Sequence, residues 1–327
     1  MEEQLRPIHY LDHNVKEAFE HFASQLSQVR RAGISKATIG IELTEDEEPA
    51  RTPVADLNSN LIKLNVNHLS YVWTCCYFFT GMQDLYYKAA MQDKPVVILE
   101  QTPVVNKMNH TFYWGRSLNS FHSEWPSNTV YPSSNEPYVE GANTIFLYAV
   151  CYLMFHELGH LVLHRDLTQF IQRVKGRYYE KTIDDVRRIR NMERQADSYA
   201  LDCMLSTASD DRQRYMIAIG AIVGIFTMFY SLQNTDIRGG THPDLDDRLK
   251  LVMKSIKLTE EYHSIHMQAT SSIGLQTFLK LTETEFRPEG KNLSYADFKE
   301  LEKDIFDLLS DTKAKYNQRW PFNFKPE

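Results

Sequence analysis

Among the four cysteines, Cys75, Cys76, Cys151 and Cys203, there is no C-x-x-C pair, and three lie in apolar helical patterns where cysteine serves as a small core residue. That argues against a disulfide framework. A basic excess is also missing. Lys and Arg number 36 against 43 acidic residues, and the net charge of −7 argues against nucleic acid as a partner. The one locally basic stretch, RRIRNMER (187–194), reads as a solvated helix face. No internal repeat or low-complexity segment occurs. The opening MEEQLRPIHYLDHN lacks the basic start and apolar run of a secretory signal, so a cytoplasmic protein is expected. A hydrophobic content of 43% and an aromatic content of 12% exclude a disordered or fibrous chain.

What is present falls into two halves. A helix is expected over 12–33, capped by Asp12 and stopped at Gly33. Strands are expected at ATIGIEL (37–43), LIKLNV (61–66) and PVVILEQ (95–101), with TEDEEPARTP as an exposed acidic loop. A long aromatic-rich helix follows the second strand. Residues 102–139, rich in Pro, Ser, Asn and aromatics, read as irregular. From Ala142 onward helical periodicity recurs near 142–165, 183–206, 213–232, 243–257, 264–281 and 293–316, and the tail NQRWPFNFKPE reads as an extended strap. The expected class is α+β, mostly helical, with a small N-terminal sheet. A catalytic domain is placed at 1–258, with strands and helices to about 140 and the site helices at 141–258, and a helical extension at 259–327.

The stretch YLMFHELGHLVLH (152–164) sets charged groups inside an apolar helix, where an unpartnered carboxylate is expensive. H-E-x-x-H spacing puts His156 and His160 one turn apart on one face, able to share a Zn²⁺, with Glu157 beside the position left for water. Alone, the pattern leaves a metal site and a buried polar network as alternatives. His164 is a poor third ligand. On a straight helix it stands two turns, about 11 Å, from His156, so it reads as a helix-end residue facing the C-terminal dipole.

A better third ligand lies in NMERQADSYALDCM (191–204). Glu193 and Asp197 stand at i, i+4 beside the apolar stripe of Ile189, Ala196, Ala200 and Met204, and the two alanines allow close approach of the first helix. Glu193 completes the metal set, and Asp197 accepts an N–H from a ligand imidazole. In GGTHPDLDDRLKLVM (239–253), Pro243 suits a first helical position and puts His242 at the N-cap. His242 is a candidate both for capping and for aiming an imidazole at an oxyanion. Arg248 has two roles open to it, anchoring a site carboxylate or sharing that charge.

One run, YMIAIGAIVGIFTMFYSL (215–232), has the 18 uncharged residues of a minimal membrane span, with Gly220 and Gly224 at G-x-x-x-G spacing. Glu193 and His242 flank it on opposite sides, yet both belong to one site. His242 lies only nine positions after Gln233, and no equally apolar run brings the chain back. A core helix with glycines at close contacts is therefore expected, and no stable membrane span.

The three elements, in this order, resemble the gluzincin pattern of zinc peptidases. Over roughly 60–260 the chain resembles more specifically the Lit-like phage-exclusion peptidases, through NVNHLSYVWTCCYFF, FLYAVCYLMFHELGH, ERQADSYA and THPDLDDRL. That resemblance implies a minimal gluzincin-like core with one Zn²⁺ per chain on His156, His160 and Glu193, and Glu157 as base. It also implies an intracellular endopeptidase acting by metal-activated water in abortive defence against phage, with elongation factor Tu as substrate and a phage-derived peptide as activator. Two other readings stand beside it: a membrane-embedded zinc peptidase of the prenyl-protein or HtpX type, and a non-enzymatic protein with a structural zinc. A structural zinc normally takes four protein ligands, which weighs against the latter.

Overall fold

The computed structural model describes residues 6–26, 40–45, 47–90, 102–165, 182–240, 242–286 and 298–319. It is α+β and mostly helical, with a three-stranded sheet near the N-terminus. A 3-10 turn, Pro7–Leu11, leads into α1 (Asp12–Gln25). Asp12 does not cap α1. Leu11 holds that place, and the Asp12 carboxylate accepts from His9 Nδ1 at 2.6 Å. α1 ends at Gln25, short of the expected stop at Gly33, because the backbone is already extended at Leu26; the strand candidate at 95–101 lies outside the described residues.

The strands β1 (Gly40–Thr44), β2 (Val54–Asp56) and β3 (Leu61–Asn65) form a sheet in the order β1-β3-β2. β1 runs parallel to β3, and β2 runs antiparallel to it with Ala55 opposite Ile62. Ile62 and Leu64 point into the core, the period-2 signature that made β3 readable. β2 directly follows the acidic loop. Three residues carry no alternation to read, so only the pairing with β3 makes this edge a strand.

β3 passes straight into α2 (Val66–Ala90). Next comes a helix where irregular chain was expected, α3 (Pro103–Ser117). Its start is well built. Thr102 accepts the Val105 N–H at 3.2 Å, and Pro103 arrives with helical φ already fixed. Val105, Met108 and Phe112 then bury in the core on the side of α2. Residues 118–138 are turns and irregular backbone.

The remaining helices are α4 (Val139–Leu163), α5 (Ile183–Thr207), α6 (Asp211–Ser231), α7 (Leu245–Ser255), α8 (Glu261–Leu281) and α9 (Phe298–Arg319). α4 is the axis of the molecule. It contacts α1, α2, α5, α6 and β2, and it is apolar nearly all round, as a helix enclosed in a core must be. α6 packs against α4 and α2, with α8 on its other side. Both α4 and α6 are long and apolar enough to cross a membrane, yet 72% of each one's most apolar window is buried within the protein. Gly220 lets α6 touch the α4 backbone. A Cβ there would lie 2.7 Å from the Tyr148 carbonyl carbon and 2.8 Å from Ala149 N. The core continues through Ile273, Leu275 and Phe278 of α8, past the boundary expected at 258. Asn317–Arg319 of the expected strap continue α9, and residues 320–327 lie outside the described residues.

Candidate metal centre

HELGH occupies the final turns of α4. The His156 and His160 Nε2 atoms face each other at 3.2 Å. α5 crosses at this level because Gly159 lies against Ala196, where a Cβ on the glycine would stand 3.0 Å from the alanine Cα. A capping box fixes the start of α5. Thr182 accepts from Asp185 N, and Asp185 accepts from Thr182 N, each at 3.1 Å. The crossing delivers Glu193, whose Oε2 is 3.3 Å from His156 Nε2 and whose Oε1 is 3.5 Å from His160 Nε2. Ligand atoms about 2.0–2.1 Å from a tetrahedral Zn²⁺ stand roughly 3.3–3.4 Å from one another. The three observed separations bracket that value. Two imidazole nitrogens and a carboxylate converging at this spacing fit such an ion and could hold it.

Each imidazole is held from behind. Asp197 Oδ1 accepts from His156 Nδ1 at 2.8 Å, from the Arg248 Nη2 at 2.5 Å and from the Tyr152 hydroxyl at 3.2 Å. Burial opposes charge here but loses to pairing. It would lower the His156 pKa, yet bonds to Asp197 and Glu193 lift it to about 9. It would raise Asp197, but the Arg248 guanidinium and His156 hold that carboxyl below its ordinary value. It would likewise raise Glu193, which His156 and His160 keep far below the carboxylate range. Arg248 is itself buried, with Nη1 donating to Met228 Sδ at 3.1 Å.

Glu157 points the other way on α4, toward the sheet edge. Its Oε2 accepts the Ala55 N–H of β2 at 2.7 Å. Burial raises its pKa, partly offset by His156 and His160. Half-buried beside both imidazoles, it is a carboxylate of increased basicity.

His242 reaches the same centre, with Nε2 3.7 Å from Glu193 Oε1 and its side chain 54% exposed. It is not a helix cap. α7 starts at Leu245 with Asp244 at the N-cap, so both His242 and Pro243 precede the helix. They lie instead in a turn closed by His242 N–H donating to Gly239 O at 2.7 Å, with Gly240 at φ +56°. Arg190 of α5 fastens the turn by donating to Gly240 O at 2.8 Å and to Asp244 Oδ1 at 3.2 Å. The same aspartate receives Lys313 of α9, at 3.3 Å.

His164 ends α4, as expected, but its ring is buried, and burial lowers its pKa. Nδ1 lies 3.0 Å from His160 Nδ1, and Nε2 lies 3.0 Å from Gln195 Oε1. The i, i+4 repeat of 156, 160 and 164 was the visible signal for this contact. Nothing in the sequence signalled Ala55.

The centre opens into a cleft of about 600 Å³ between β2, α5 and the 236–245 segment, with Val54, Ile189, Met192 and Ile237 among its apolar walls. A second acidic group with a histidine, Asp211, Glu260 and His263, has a structural explanation. Asp211 accepts the N–H groups of Thr259 and Glu260 at 2.7 and 3.1 Å and so caps the start of α8.

The model of the peptidase U49 family matches residues 62–268, a span that holds His156, Glu157, His160, Glu193, Asp197, His242 and Arg248 but not Val54 and Ala55 of β2. The chain belongs to the peptidase U49 family. A similar protein is the "Cell death peptidase" of Escherichia coli (strain K12), 26% identical over 208 residues, or 59% of this chain and 62% of the relative. The chain therefore spans less than two thirds of that relative's length. No solved structure matches the chain. Within and beside the matched span, β2, His156, Glu157, Glu193 and His242 stand round one cleft.

Proposed function

We propose that this U49 peptidase is a zinc-dependent endopeptidase that hydrolyses a protein substrate in the 600 Å³ cleft. The observation that carries the reading is the convergence of His156, His160 and Glu193 at tetrahedral spacing, with Glu157 on the adjoining face of the helix. Zinc in that position supplies a Lewis acid for a peptide carbonyl and for water. Three protein ligands on the wall of an open cleft support a catalytic rather than a structural ion.

The protein groups divide the rest of the work. Glu157 Oε2 is engaged by Ala55 N–H, which leaves Oε1 to take a proton from the attacking water and pass it to the leaving amine. His242, at the mouth of the cleft, donates a hydrogen bond to the carbonyl oxygen as negative charge builds on it. Asp197, fixed by Arg248, orients His156 and keeps the lone pair of Nε2 directed at the ion.

The relative's name, "Cell death peptidase", supports a role in which cleavage harms the host cell. Together with the Lit-like resemblance it supports an intracellular protease of abortive phage defence, with elongation factor Tu as substrate and a phage-derived peptide as activator. Glu157→Gln tests the chemistry. It is expected to fold and to keep its zinc while losing cleavage, read as new protein ends across the proteome after induction. Cleavage that survives this change would overturn the enzyme reading.

A further inference from the structure

We propose that His164 is a positioning residue that fixes the tautomer and ring plane of His160. The inference rests on the zinc reading of the site.

His160 binds an ion through Nε2 only if its proton resides on Nδ1. That proton calls for an acceptor, because the His160 side chain is only 15% exposed, on a helix packed against α5. The only acceptor within hydrogen-bond distance of Nδ1 among the described residues is His164 Nδ1, at 3.0 Å. His164 acts as acceptor there only if its own proton is on Nε2. Gln195 Oε1, 3.0 Å from that nitrogen, accepts it. The chain of donors then runs in one direction, from His160 to His164 to the Gln195 amide. Reversing it would place a hydrogen on His160 Nε2, facing His156 Nε2 at 3.2 Å and closing the metal position.

The end of the helix makes this arrangement possible. The His164 backbone N–H donates to His160 O at 3.1 Å, so the last turn closes and the two rings lie 5.1 Å apart, centre to centre. His164 is 1% exposed, and no water replaces it as the partner of His160. Gln195 is exposed, so water substitutes for its oxygen and its removal costs less. The two ligand imidazoles are therefore oriented by different means, His156 by a charged aspartate and His160 by a neutral ring.

The test measures zinc affinity by chelator competition on the purified protein, alongside melting temperature. His164→Leu is expected to weaken zinc binding about 10- to 100-fold, the usual effect of losing such a partner. In His164→Asn, Oδ1 takes the place of Nδ1 as acceptor, and affinity is expected to return to within about threefold of wild type. Gln195→Ala should fall between the two. Zinc binding in His164→Leu within about twofold of wild type would overturn the proposal, as would a folded His164→Asn as weak as the leucine variant. Should His164→Leu fail to fold, the zinc-loaded wild type decides. Imidazole ¹⁵N spectra are expected to show His164 protonated on Nε2, and protonation on Nδ1 contradicts the proposal. A wild-type protein that binds no zinc would remove the zinc reading itself, a separate result.

Discussion

Three histidines at four-residue intervals on one helix take different parts because of what stands behind each ring. His156 has Asp197 and its Arg248 partner, His160 has His164, and His164 has the Gln195 amide. His242 is different again. It rests in a turn before α7, half in solvent, and is not the N-cap of that helix. His242→Ala is therefore expected to lower turnover by about 10²–10³, the scale for losing one oxyanion donor, with zinc content and melting temperature unchanged. A variant that melts early but turns over normally would return His242 to a structural role. At this scale the convergence of His156, His160 and Glu193 was legible, since H-E-x-x-H and the Glu193–Asp197 pair advertise their geometry through helix spacing. The Ala55 contact was not, because a backbone N–H on a three-residue edge strand leaves no trace in side-chain pattern.

Helices carry the site through close crossings, and these are unequal. At Gly220 an added Cβ would press on the backbone of Tyr148 and Ala149, which cannot move aside. At Gly224 the nearest atom would be Tyr152 Cδ1 at 3.4 Å, an ordinary contact. Gly220→Ala is expected to cost about 1–3 kcal/mol by overpacking. Gly224→Ala is expected to be neutral or to gain up to about 1 kcal/mol from helix propensity. Chemical denaturation of both variants checks the pair, and equal effects would show that the crossing is not set by Gly220. Long helices with apolar faces were evident from periodicity. α3 was hidden by its polar, Pro- and Asn-containing sequence, although the Thr102-Pro103 start is a helix signal in itself. The start of α7 was placed two residues early because Pro243 suits a first turn, whereas the chain spends His242 and Pro243 on the Gly239–His242 turn.

Across the whole molecule, the most apolar helix, α4, holds part of the site. α4 bears both imidazoles and Glu157, and α6 is wedged between α4 and α8, so withdrawing either into a bilayer would dismantle the cleft. The protein is expected to purify without detergent. Recovery only in a membrane fraction that resists high salt and carbonate would favour the membrane-embedded type of zinc peptidase. The composition, acidic and rich in aromatics, was consistent with one continuous core, which α8 joins beyond residue 258.

The most direct measurement is the metal content of protein purified without chelator, wild type beside Glu193→Ala. Wild type is predicted to carry about one zinc per chain. Removing Glu193 deletes one of three convergent ligands and leaves His156 and His160 facing each other at 3.2 Å, so this variant is predicted to lose most of its zinc while remaining folded. Zinc absent from wild type, or fully retained by folded Glu193→Ala, would contradict the account.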